Sequence, residues 1–215
     1  MSITALIQLL DPIKGLEFHE RKHRYKYNGK WINASPTQIL AHGMSNHARK
    51  TIMLSKHIWE PRGNTLHGCL EQYLLGAADL NPGDYGDWWS PLKDCWLWKD
   101  AVIMGVELRL VDPRLSLAGS CDFLIKTAKG SVVLGDLKTC SSESSAKNRK
   151  GADAQLGAYL GMLNQNYPDV FVDRCVTVVS GPGICRVISA DPDDCTAAWD
   201  EAYGLWKAAE DLQPF

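Results

Sequence analysis

Between residues 17 and 33, apolar or aromatic positions alternate with polar ones around Asn28-Gly29, as in HRYKYNGKWINAS. Period-two alternation marks half-buried strands, and Asn-Gly tolerates the positive φ of a tight turn, so two antiparallel strands in a hairpin are predicted. SPTQILAHG follows with Ser35 as N-cap, Pro36 at the first helical position and Gly43 as a stop, which predicts a short helix. From Ser45 to Gly76 the apolar period becomes helical and is interrupted at Pro61-Arg62-Gly63. Two helices meeting at that break are expected, with Asn64 capping the second.

LNPGDYGDWW reads as loop and SPLKDCWLWKDAV as helix. Strands are predicted in VIMGVELRLV, LSLAGSCDFLIKT, SVVLGDLKT, FVDRCVTVVS and GICRVISA, and helices in GADAQLGAYLGMLNQNY and DPDDCTAAWDEAYGLWKAAEDL. The fold class is therefore α/β (α+β), a central mixed sheet flanked by helices and preceded by a hairpin and helices. At 215 residues and 45% apolar content, one core and one domain over residues 1–215 are expected.

A net charge of −2 excludes a global basic field, so any nucleic-acid partner must be held by local charge or by metal. The seven cysteines are scattered and never form C-x-x-C, which fits reduced thiols better than a disulfide framework, a zinc knuckle or an iron–sulfur cluster. MSITALIQLLDPIKG lacks a basic n-region and a small-residue cleavage site, and nowhere do 18 apolar residues run together. A chain that is not secreted, has no membrane partner and is cytoplasmic is expected.

Chemistry concentrates in VVLGDLKTC, where Asp136 and Lys138 share one side of a strand and Leu137 takes the other. Turn residues from Thr127 to Gly130 place Asp122 and Asp136 on antiparallel neighbours. The two carboxylates share a face if the loop holds an odd number of residues or a bulge intervenes. Adjacent carboxylates repel unless a divalent cation or a shared proton neutralises them. Oxygen ligands suit Mg2+ or Mn2+, and an adjacent lysine can orient a water or stabilise charge developing on a phosphate.

The ordered set Gly63, His67, Glu71, Glu107, Gly119, Asp122, Asp136-Leu137-Lys138-Thr139, Gln155 and Tyr159 resembles the RecB-type branch of the PD-(D/E)XK nucleases. It is most similar to compact phage exonucleases and the mitochondrial genome-maintenance type. The resemblance runs from about Arg62 to Tyr159, with a weaker echo in the opening hairpin and SPTQIL. It implies a restriction-endonuclease-like catalytic core over residues 61–215, with the hairpin and helices of residues 1–60 in front. It implies Asp122, Asp136, His67 and the Leu137 backbone carbonyl as metal ligands, and Lys138 as the catalytic lysine.

Gln155 and Tyr159, at i and i+4 on one helical side, would lie beside the metal and place the lysine or contact DNA. Glu107 would neighbour the site, and Glu71, one turn after His67, is placed to fix the imidazole tautomer or stand behind the ligands. The cofactor implied is Mg2+ or Mn2+, the imidazole favouring Mn2+ tolerance, and no iron–sulfur cluster.

The activity implied is a metal-dependent DNA exonuclease acting on single- or double-stranded ends in replication, recombination or DNA degradation, with replication or recombination proteins as further partners. A structure- or site-specific endonuclease and a catalytically idle nucleic-acid-binding module are the alternatives. CSSESSAKNRK, with Lys147, Arg149 and Lys150, and Arg62 before the His67 helix supply candidate phosphate contacts. Trp88 and Trp89 read as core.

Overall fold

The structure is a computed structural model that describes residues 6–211. Residues 1–5 of the opening segment and Leu212 of the expected last helix lie outside the described residues. The N-terminal part contains β1 (Leu6–Ile7), β2 (Leu16–His19), β3 (Arg24–Tyr27), β4 (Lys30–Trp31), α1 (Pro36–His42), α2 (Asn46–Leu54), α3 (Lys56–Leu74) and α4 (Gly86–Lys93). Then come β5 (Val102–Asp112), β6 (Leu117–Lys126), β7 (Val132–Thr139), α5 (Glu143–Asn148), α6 (Asp153–Asn166), β8 (Arg174–Gly181), β9 (Ile184–Ala190) and α7 (Pro192–Asp211). The central sheet has six strands in the order β1-β5-β6-β7-β8-β9. Its β1–β5 and β7–β8 pairs are parallel and the rest antiparallel, which makes it mixed, as predicted.

Helices cover both faces. Leu66, Leu70 and Leu74 of α3 and Leu92 of α4 pack with Phe123, Ile125, Val133 and Leu137 on one side. Leu156, Leu160 and Leu163 of α6, Trp199 of α7 and Ile39 of α1 pack with Leu108, Leu124 and Leu134 on the other. Each such fully buried aliphatic side chain contributes about 1.5–3 kcal/mol by leaving water. Strand β7 sits between β6 and β8 with helices on both faces, so its charged end reaches the middle of the molecule.

The expected hairpin is a three-stranded sheet. Asn28 (φ 47°) and Gly29 (φ 77°) turn β3 into β4, and a short 3-10 turn over Glu20–Lys22 joins β2 to β3. Two positive φ values in succession are what the tightest hairpin turn requires, and asparagine and glycine supply them cheaply. Helix α1 follows the prediction: Ser35 accepts from the Gln38 amide at 3.4 Å while Gln38 Oε1 accepts from the Ser35 amide at 2.9 Å.

The helical break does not fall at Pro61. Helix α3 runs unbroken through Pro61, the junction lies at Ser55, and the boundary expected between residues 60 and 61 falls inside α3. Pro61 and His57, whose carbonyl a residue at 61 would otherwise bond, are both exposed, so solvent can meet the orphaned acceptor. A second correction concerns LNPGDYGDWW. Helix α4 begins at Gly86 and takes Trp88 and Trp89 with it, whereas the tryptophan-rich WLW segment forms a 3-10 turn. Trp89 is buried, and Trp88 Nε1 donates to the Cys140 carbonyl at 2.6 Å, as core tryptophans do.

Candidate functional site

The β6–β7 ladder runs from Lys126–Val132 to Phe123–Gly135 and stops there. Its loop spans residues 127–131, an odd number, which meets the parity condition for Asp122 and Asp136. Gly135 lets the strands close there: a Cβ would stand 1.9 Å from Phe123 Cζ. Beyond that point Asp122 enters the gap, and its Oδ2 accepts from the Leu137 amide. The Leu137 carbonyl points to the same side of β7 as its amide, toward the gap rather than toward β8.

Beside Asp122, β5 makes an irregular step. Val106 and its partner Phe123 pack under α3, whereas Leu108 and its partner Cys121 pack under α6. Both strands thus exchange faces at the same level, at Glu107 on one and Asp122 on the other. Glu107 has φ 45°, a left-handed conformation that costs a non-glycine residue about 1 kcal/mol or more. The exchange brings the Glu107 carboxylate to His67 of α3 and Asp122, with one ligand atom from each within 4.8 Å of the others. His67 Nδ1 is 3.2 Å from Asp122 Oδ1.

The cluster is half-buried. Burial alone would lower the His67 pKa, but Asp122 first, then Asp136 and Glu107, outweigh it and raise it to about 9. Burial pushes Glu107 up to about 7, the Asp122 charge adds to this, and His67 opposes it. In this state protons offset the excess negative charge, a task a divalent cation performs equally well.

Asp136 lies next to the cluster rather than among its three ligand atoms. Burial raises its pKa, against the opposing pull of Lys138. Its Oδ1 accepts from Gln155 Nε2 at 2.8 Å, and its Oδ2 is 2.8 Å from Lys138 Nζ. That second contact is an ion pair at a skewed angle, so Oδ2 is buried without a directed hydrogen bond. Gln155 ties the parts together: its Oε1 accepts from Lys138 Nζ at 2.8 Å, and its Nε2 also donates to the Tyr159 hydroxyl at 2.8 Å. Gly119 permits this arrangement, since a Cβ there would approach Tyr159 Cε1 to 2.9 Å.

These groups open into a cleft of about 940 Å³ whose walls include Gly63, Glu71, Leu137 and Arg149. Two of the expected phosphate contacts engage other partners in the fold. Arg62 is buried, with Nε donating to Thr139 Oγ1 at 3.3 Å and its guanidinium 5.9 Å from the Trp88 ring, so it fastens α3 to β7. Lys147 is exposed on α5, where the serine-rich stretch folds into a capped helix that sets it one turn from Glu143, with which it pairs, and it does not line the cleft. Lys150 is exposed and does not line the cleft, whereas Arg149 does.

Several wall residues escaped the sequence reading. Phe18 and Tyr25 come from the hairpin, Gln38 from α1, Ile52 and Trp59 from α2 and α3, and Arg109 from β5. Arg109 lies two residues beyond Glu107, the lone cation in an apolar strand, and that spacing was a usable signal. Its guanidinium rests 5.4 Å from the Phe18 ring, which links β5 to the hairpin.

No family model matches the chain, and no curated protein matches it. Fourteen chains of solved structures match in fold. One, titled "Crystal structure of SSO0001", is 15% identical, covers 81% of this chain and 76% of its own, and superposes with a TM-score of 0.43. Among the described residues no helix is long and apolar enough to cross a membrane.

Proposed function

We propose that the protein is a divalent-metal-dependent deoxyribonuclease, an exonuclease that hydrolyses phosphodiester bonds at DNA ends in the cytoplasm. One observation carries the reading: a lysine amine, held by Gln155 and Asp136, stands beside an imidazole and two carboxylates gathered in an open cleft. The donor set fits a metal. His67, Glu107 and Asp122 would hold Mn2+ or Mg2+, with the undirected Oδ2 of Asp136 as a further oxygen. The preference for ends over internal sites comes from the RecB-type resemblance.

When bound, the cation would polarise the scissile phosphate and lower the pKa of a water. Lys138, held by its hydrogen bond to Gln155 and its ion pair with Asp136, would orient that water and meet the charge that grows on the phosphoryl oxygens. Gln155 holds the amine at its station, and Tyr159 holds Gln155. Arg149 and Arg109 give the cleft positive charge for the flanking phosphates.

The test is incubation of end-labelled linear single-stranded, linear duplex and closed circular DNA with Mg2+, Mn2+ or EDTA, alongside Lys138→Ala and Asp122→Asn. Metal-dependent loss of linear DNA, absent in both variants, is expected. Cutting of circles would replace the exonuclease by an endonuclease, and binding without cutting would leave an idle module.

A further inference from the structure

The hairpin sheet has a second face that plays no part in the metal cluster. Register sets Glu17 and His19 of β2 against Lys26 and Arg24 of β3, and Lys26 against Trp31 of β4, so these side chains point the same way. The opposite face, with Leu16, Tyr25 and Tyr27, packs on Ile32, Val111 and Ala118. On the outward face three cations converge on one ring. Lys22 Nζ is 5.0 Å, Arg24 Cζ 5.1 Å and Lys26 Nζ 4.6 Å from the Trp31 centroid.

Among the described residues none of the three is in an ion pair. Glu17, the carboxylate of that face, is turned to His19 Nε2 at 3.4 Å. Arg21 and Lys30 add charge at the edges in a chain whose net charge is −2. The concentration is therefore local.

Three like charges on one ring repel, and the tryptophan quadrupole offsets only part of that. In exchange the ring orders three long side chains before any ligand arrives, which removes an entropy cost from binding. The ligand that completes such a face is an anion with repeated charges. The turn at its edge supplies Glu20 and His23 to the cleft wall, so the cationic face and the metal cluster are reached around one edge of the hairpin.

We infer that this face is an arm that grips the sugar–phosphate backbone of a nucleic-acid strand whose neighbouring segment enters the cleft. Because the ring already carries the cations, the arm reads charge rather than bases, and its grip is independent of sequence. The inference rests on nucleic acid being the substrate, and its test is separable from cleavage.

Binding of a fluorescent 20-nucleotide single strand to the full chain is measured by anisotropy in EDTA over a range of salt. The variant Lys22→Gln/Arg24→Gln/Lys26→Gln should bind on the order of a hundredfold more weakly at ~0.1 M salt, and the slope of log Kd against log salt should fall by about 2. Lys99→Gln/Lys129→Gln, which removes exposed cations elsewhere, should leave both unchanged. Trp31→Leu, which keeps the charges and loses the ring, should weaken binding with little change in slope. Circular dichroism melting of each variant checks that the hairpin still folds.

Equal slopes for the triple variant and the parent would overturn the inference, as would an equal fall in the control. Binding to phosphatidylserine vesicles that depends on the three cations, without DNA binding, would overturn it in favour of a lipid surface. DNA binding through the arm by a protein that cuts nothing would sink the nuclease and keep the arm. Cutting with unaltered salt slopes would do the reverse.

Discussion

Lys138 has little freedom: Gln155 Oε1 and Asp136 Oδ2 each lie 2.8 Å from its amine. Gln155→Ala removes one acceptor and frees Asp136 Oδ1, so kcat for DNA hydrolysis should fall about 10–100-fold while Mn2+ affinity changes little. Calorimetric titration with Mn2+ beside single-turnover cleavage separates these effects. Proton balance offers a second check at this scale.

His67 titrates near 9 in the fold. Its free value is ~6.5, so its protonated form stabilises the metal-free protein fully below that value and the contribution is lost as pH rises through 9. Glu107, raised to about 7, has the same sign: the fold favours its neutral form, and that advantage fades as pH climbs through 7. The melting temperature of the metal-free protein should therefore drop between pH ~6 and ~9, and Mn2+ should oppose the drop by taking the place of the protons. A melting temperature that climbs across that range without metal would contradict both assignments.

Among the elements, β7 shows how much a tight strand tolerates. Gly135→Ala drives a methyl into the Phe123 ring, and chemical denaturation should show a loss of about 1–3 kcal/mol. Pro61→Ala acts in the opposite direction: the proline is exposed inside α3, and restoring its amide should stabilise the fold by about 1–3 kcal/mol.

The same elements divide what was legible in the chain from what was not. Strand periodicity, the Asn28-Gly29 turn and the Ser35 cap are local, and they stand where the sequence puts them. The proline break was misplaced because an exposed orphan carbonyl can be satisfied by water, a fact of burial that no local pattern carries. Of the site, His67, Asp122, Asp136, Lys138, Gln155 and Tyr159 do converge on one cleft. Glu107 moved into the ligand cluster through a left-handed residue inside a strand, which alternation cannot foresee. The partners of Arg62 and Lys147 were not legible, because a cation's sequence position does not reveal whether it meets Trp88, Glu143 or the cleft.

For the molecule as a whole, a ligand that binds only the folded state must stabilise it. Mn2+ at about 100 times its Kd should add ~2.7 kcal/mol, read as a rise in melting temperature that His67→Ala abolishes.

The position of β7 has one more outcome. Its inner edge is the forked one, closed by Asp122, but its outer edge is held by β8, which ends at Gly181, after every ligand and the lysine have been synthesised. A polypeptide still emerging from the ribosome and short of that point has all its reactive side chains yet no rigid strand on which to mount them. Competence of the proposed nuclease thus waits for β8, and a fragment truncated before residue 174 should leave DNA intact.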